Sequence, residues 1–126
     1  MNGAKKRLTI QSLNFSVIDK GTGPAVLFLH GFPDSSYLWR HQIPAFIDAG
    51  YRVIAPDLRG FGQSTYHNKI SSLTDFANDV KQFVDAIGLA NFSIIGWSLG
   101  GGVAMRFIID YPDYIEKMVL LTSRSE

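Results

Sequence analysis

The chain is 126 residues long, enough for one buried core and short for two domains. It is 46% hydrophobic, 13% aromatic and 18% charged, the balance of a globular protein rather than a disordered or fibrous one. A net charge of +1 offers no electrostatic footprint for nucleic acid or an anionic membrane, and the lack of cysteine excludes disulfides, thiolate chemistry and cysteine-ligated zinc. The basic run Lys5 to Arg7 reads as a solvated tail, and the alternating "LTIQSLNFSV" after it is no signal-peptide core. Apolar runs such as "AVLFL" are too short to cross a bilayer, so a soluble, cytoplasmic protein with no membrane partner is expected.

In chain order, residues 7–12 and 14–19 alternate apolar and polar, which predicts an antiparallel hairpin with one face in water. "GTGP" at 21–24 is a turn, and "AVLFLH" at 25–30 reads as a strand buried on both faces of a parallel sheet. Ser35 or Ser36 is placed to cap a helix with apolar positions Trp39, Ile43, Phe46 and Ile47, ended by Gly50. "YRVIAPD" at 51–57 is a further buried strand, and a polar, glycine-containing loop follows over 58–71. "SSLTDFANDVKQFVDAIG" is the clearest helix: Ser72 and Asp75 stand at capping-box spacing, one apolar stripe runs from Leu73 to Ile87, and Gly88 closes it. "FSIIGW" is a buried strand, a helix runs from about Leu99 and stops before Pro112, and "IEKMVLLTS" at 115–123 is a last buried strand. Strands alternating with helices predict an α/β fold: a doubly wound, mostly parallel sheet with an N-terminal antiparallel hairpin, in a single domain over 1–126.

Three motifs fall on the ends of these strands. In "SIIGWSLGGGVAM" a serine sits in G-x-S-x-G; a random chain of this length shows that pattern with odds of roughly 4%, but here it follows a strand and opens a helix. A sharp strand-to-helix turn crowds the positions two before and two after the serine, and Gly96 and Gly100 keep both small. Gly101 and Gly102 are read as letting the helix start pack closely on neighbouring strands. The turn would hold the Ser98 hydroxyl above the carboxyl edge of the sheet, with the Leu99 amide at the helix N-terminus aimed where an oxyanion develops. A dinucleotide fingerprint fails because its second glycine is this serine, and a phosphate-binding P-loop fails for want of a lysine.

The second motif, "HGFPDSS" at 30–36, places the Phe32 amide as a second oxyanion donor, while His30, tied to the tight Gly31–Pro33 turn, reads as a structural brace. In the third, "PDLRGFGQS" at 56–64, Asp57, Arg59 and Ser64 are expected to hydrogen-bond their loop; His67 and His41 are expected to be solvated.

In this order and on these elements, "HGFP", "PDLRGFGQS" and "GWSLGGG" resemble the α/β-hydrolase superfamily. The likeness is to its branch of esterase-like, carbon–carbon-bond hydrolase, epoxide-hydrolase-like and cofactor-free haloperoxidase-like proteins, and it covers residues 7 to 123. It implies Ser98 as nucleophile, the amides of Phe32 and Leu99 as oxyanion hole, and support from His30, Gly31, Gly96 and Gly100. No cofactor or metal is implied, and the substrate is a small acyl compound. Dehalogenases and epoxide hydrolases of the family carry aspartate at the nucleophile position, so serine points to ester, thioester, amide or activated carbon–carbon cleavage, or to perhydrolysis.

The family's triad runs serine, acid, histidine along the chain. No histidine follows Ser98 here, and Asp110, Asp113 and Glu116 fall at the far end of its helix. The chain therefore reads as the N-terminal half of the fold, a core cut off after its sixth strand, weakly active or inactive alone. The outer edge of that strand is expected to bind a complementary C-terminal half or a second copy as a homodimer. The alternative is a non-catalytic, self-associating or ligand-binding module whose glycines serve the turn alone.

Overall fold

A computed structural model describes residues 6–10, 13–30, 39–58 and 72–121. Six strands form one sheet: β1 (Lys6–Ile10), β2 (Leu13–Lys20), β3 (Ala25–Leu29), β4 (Arg52–Pro56), β5 (Phe92–Trp97) and β6 (Ile115–Leu121), in the order β1-β2-β4-β3-β5-β6. β1 pairs antiparallel with β2 and β2 with β4, whereas β4, β3, β5 and β6 run parallel. The helices are α1 (Gln42–Asp48), α2 (Leu73–Ala86) and α3 (Leu99–Asp110), with a 3-10 turn at Pro112–Tyr114. The mostly parallel sheet with its antiparallel hairpin is the architecture expected from the alternation of apolar runs and amphipathic segments.

α2 forms where the capping box predicts. Ser72, in extended backbone, accepts from the Asp75 amide at 3.2 Å, and Phe76, Ala77, Val80, Phe83 and Val84 are buried along one stripe. They meet Phe15, Val17, Leu27, Leu29, Ile54, Phe92 and Ile94 of the sheet, and Val103, Ala104 and Phe107 of α3. Each fully buried side chain of this kind stabilises by roughly 1.5–3 kcal/mol. Beyond the core, the Tyr111 hydroxyl donates to Asn78 Oδ1 (2.9 Å) and the Tyr114 hydroxyl to Asp85 Oδ1 (2.7 Å), fastening α2 to the connection between α3 and β6.

Among the described residues, α1 is the helix on the opposite face. Ile18, Val26, Phe28, Val53 and Ala55 of the sheet pack there against Trp39 and Ile43. Trp39 is edge-on to Phe28 with ring centroids 5.0 Å apart, and its buried Nε1 has no hydrogen-bond partner. α1 starts later than the sequence suggests. Its N-cap is His41, with no side-chain hydrogen bond, and Pro44 sits in the first turn, where a missing amide costs nothing. The expected caps Ser35 and Ser36 lie outside the described residues.

Two expectations are corrected by this unequal cover. The hairpin does not keep one face in water: β2 also pairs with β4, so Phe15, Ser16, Val17 and Ile18 are all buried as parts of an inner strand. Conversely, β5 and β6 are not buried on both faces. β5 alternates between buried Phe92, Ile94 and Gly96 and half-buried Ser93, Ile95 and Trp97, and β6 is half-buried only at Ile115 and Met118. Their apolar runs are continuous, but among the described residues only the face toward α2 and α3 has helices over it.

Candidate active site

The sheet reverses its winding between β3 and β5. From β3 the chain turns through α1, on one face, to β4; from β5 it turns through α3, on the other face, to β6. The connections diverge at the carboxyl ends of two adjacent strands, where Leu29 pairs with Gly96. Such a switch point leaves a crevice, the usual ligand position in open α/β sheets.

Ser98 stands there, exposed, between the last residue of β5 and the first of α3, at φ 56° and ψ −114°. Positive φ in a residue with a Cβ costs of order 1–3 kcal/mol and persists only where its surroundings enforce it. Here they do. The Ser98 amide donates to the Leu121 carbonyl at 3.0 Å, and its own carbonyl accepts from the amides of Gly101 (2.9 Å) and Gly102 (3.2 Å), closing the first turn of α3. The two flanking glycines are steric necessities. A Cβ on Gly96 would lie 2.5 Å from the Gly100 carbonyl oxygen, and one on Gly100 would lie 2.6 Å from that of His30 and collide with that of Leu29. The backbone of the turn thus packs directly on the end of β3. Gly101 lies against strands as expected, its nearest neighbours being the Gly96 backbone of β5 and Leu120 of β6, whereas Gly102 differs from expectation. A Cβ at Gly101 would be in ordinary contact, and at Gly102 it would press on Leu73 of α2 at 3.3 Å, so the close approach there is to a helix and not a strand.

Leu99 is the first residue of α3, so its amide has no acceptor within the helix, and the helix dipole adds partial positive charge at that point. His30 lies at the end of β3, fully buried, and its Nε2 accepts from the Leu58 amide at 2.9 Å. That bond needs an unprotonated Nε2 and ties the end of β3 to the segment after β4, a partner not legible in the sequence. Asp57 is buried and its amide donates to the Ser16 carbonyl at 2.8 Å, so the third motif is also anchored to β2. Gly31, Phe32, Arg59, Ser64 and His67 lie outside the described residues. His41 is exposed at the start of α1, and Asp110 is paired with Arg106 (2.7 Å) at the far end of α3, away from Ser98. Sequence reasoning also missed Asp79, a buried carboxyl on the inner side of α2. Among the described residues no group of three His, Cys, Asp or Glu could hold a metal, and no helix is long and apolar enough to cross a membrane.

A strained serine between a central parallel strand and the helix it opens, at the switch point of a mostly parallel sheet, defines a protein of the α/β class with a sharp strand-to-helix turn. The chain belongs to the alpha/beta hydrolase fold family, whose model matches residues 24–126. Among curated proteins it is 38% identical over 117 residues to Epoxide hydrolase 2 of Siraitia grosvenorii, a match that spans 91% of this chain and 37% of that protein. It is 43% identical over 93 residues to Epoxide hydrolase B of Mycobacterium tuberculosis, covering 72% of this chain and 26% of that one. Among solved structures, an epoxide hydrolase from Vigna radiata superposes with a TM-score of 0.88 at 33% identity, over 97% of this chain and 40% of that chain. The matches thus span between about a quarter and two fifths of the length of these relatives.

Proposed function

We propose that Ser98 is the nucleophile of a serine hydrolase acting on an ester-like or related acyl substrate, and that this chain carries the nucleophile-bearing part of that enzyme. One observation carries the reading: the exposed Ser98 held at positive φ between β5 and α3, at the switch point of the sheet. In the complete reaction a base takes the Ser98 proton and Oγ attacks the acyl carbon. The Leu99 amide, with that of Phe32, stabilises the oxyanion, the leaving group departs with a proton, and water hydrolyses the acyl-enzyme. His30 is not that base, because its Nε2 is engaged by the Leu58 amide. In the family's order the base follows the nucleophile, and no histidine follows Ser98 in this chain. By itself the chain is expected to lose several decades of rate.

The names of the relatives suggest epoxide opening, and the chemistry of the residue at position 98 argues against it. A carboxylate that opens an epoxide forms an ester, which water can cleave at its carbonyl. A serine alkoxide would form an ether, with no acyl carbon for water to attack, and the enzyme would stop after one event. An acyl substrate returns the serine intact.

The test is labelling of the chain by a fluorophosphonate probe, read by intact mass, with and without imidazole as an added base. Slow labelling that imidazole accelerates, at Ser98 by peptide mapping and abolished in Ser98→Ala, is the expected result. Labelling that ignores Ser98→Ala, or its absence even with imidazole, overturns the nucleophile; catalytic turnover of styrene oxide overturns the acyl assignment.

A further inference from the structure

Three ionisable side chains are buried among the described residues: His30, Asp57 and Asp79. Of these, His30 meets the Ser98 turn through its backbone and the segment after β4 through its ring. The backbone side is a close contact. A Cβ on Gly100 would lie 2.6 Å from the His30 carbonyl oxygen and collide with that of Leu29, so the end of β3 abuts the first turn of α3. Ser98 has its positive φ in that same turn, which bonds from the Gly101 and Gly102 amides to its carbonyl close. A shift of the His30 peptide is therefore passed to Ser98 through main chains, which have no rotamer in which to yield.

The ring fixes where that peptide sits. Its Nε2 accepts from the Leu58 amide at 2.9 Å, and both residues are fully buried. The neighbouring Asp57 amide donates to the Ser16 carbonyl at 2.8 Å, which holds the donor segment on β2. Together the contacts make one line across the carboxyl end of the sheet, from β2 to Asp57, from Leu58 to His30, and from His30 to Gly100 and Ser98. On its other side the turn is tied to β6, where the Ser98 amide donates to the Leu121 carbonyl at 3.0 Å. An amide donor requires a lone pair on Nε2, so His30 is held neutral with its proton on Nδ1. A buried amide that loses its acceptor bears the full cost of desolvation, so this bond is not readily exchanged for another.

We propose that His30 is a positioning residue for Ser98: its Nε2 bond to the Leu58 amide sets the place of the β3 end on which the serine turn is built. In this role His30 moves no proton and needs no contact with substrate. The segment after β4 thereby becomes part of the site, because a change at Leu58 reaches Ser98 through one ring and two peptides. The catalytic meaning of this link rests on Ser98 as nucleophile; the mechanical link from Leu58 to the turn does not.

Two amide variants separate the bond from the bulk of the ring. A glutamine brings its Oε1 to the place of Nε2, whereas an asparagine reaches only the place of Nδ1. Labelling of Ser98 by the fluorophosphonate probe with imidazole is compared at a temperature where circular dichroism shows each chain folded. His30→Gln is expected to keep the unmodified rate within about three-fold, and His30→Asn to lose about ten- to hundred-fold. Equal rates in all three chains overturn the proposal. So does an equal fall in both variants, which would tie the effect to the shape of the ring and not to its bond. Amide hydrogen exchange of the unmodified chain tests the link without mutation or reaction. The Leu58, Gly101 and Gly102 amides are expected to show protection equal within about ten-fold, as parts of one opening unit. A Leu58 amide that exchanges freely while both glycines stay protected overturns the link. Labelling that ignores Ser98→Ala removes the nucleophile and not the brace, which the exchange result then decides.

Discussion

The two faces of the sheet are covered unequally. On one, α2 and α3 seal Phe76, Val80, Phe83, Val103 and Phe107 against every strand from β2 to β5. On the other, α1 has seven residues and covers β2, β4 and β3, leaving Ile95, Trp97, Val119 and Leu121 partly or largely in water. The larger buried cluster lies on the α2–α3 face, and the Ser98 turn is built where that face meets the carboxyl end of β5. A strained residue needs a rigid support, and Ser98 draws its own from the well-packed side.

The largest expected effect comes from breaking that support. Gly100→Ala sets a methyl against the backbone carbonyls of Leu29 and His30, neither of which is the tip of a flexible side chain. It is expected to cost more than about 3 kcal/mol in urea unfolding, or to prevent folding, without removing any contact from the α1 face. Next, truncation should rank the two faces directly. Phe83→Ala, buried between α2 and the sheet and packed on Phe15 with ring centroids 5.3 Å apart, is expected to lose about 3–5 kcal/mol. Ile43→Ala under the shorter α1 is expected near the lower end, about 2 kcal/mol. Equal losses in parallel urea titrations would mean that the two faces contribute alike.

A smaller effect belongs to the cap of α2. Ser72→Ala leaves the Asp75 amide without its side-chain acceptor and is expected to cost about 1 kcal/mol in the same assay. The smallest is a pH dependence at the rim of the same face. Hydrogen bonds from Lys81 and from the Tyr114 hydroxyl hold the Asp85 carboxyl below its ordinary value of 3.8. A lowered carboxylate pKa stabilises the fold above that ordinary value, and the contribution is lost as pH falls through the lowered one. Asp85→Asn should therefore lower the neutral plateau of melting temperature slightly and flatten the acid limb, the two proteins converging at low pH. The group is largely solvated, so the slope change is small.

The local physics of the chain made much of this legible. The Ser72–Asp75 spacing and the stripe from Phe76 to Val84 specify α2 without reference to anything else, because capping and a 3.6-residue period are properties of one segment. Gly96 and Gly100 around Ser98 signal a turn too tight for side chains, and the structure gives each glycine a backbone carbonyl as its reason. The helical spacing of apolar residues reaches back to Trp39, whereas α1 begins only at Gln42, because spacing does not mark where the hydrogen bonds start. For β5 and β6 the pattern itself was insufficient, since a continuous apolar run reports which side chains tolerate burial and not whether a helix lies over them.

The sequence by itself determined the order of strands and helices and the tight glycine-flanked turn at Ser98, since these rest on the size and bonding capacity of residues close in the chain. Only the tertiary structure decided that β2 is an inner strand, that His30 Nε2 is taken by the Leu58 amide, that Gly102 makes room for Leu73, and that no described helix lies over one side of β5 and β6. Those outcomes depend on which elements become neighbours, and neighbours far apart in the chain leave no mark on the periodicity of either one.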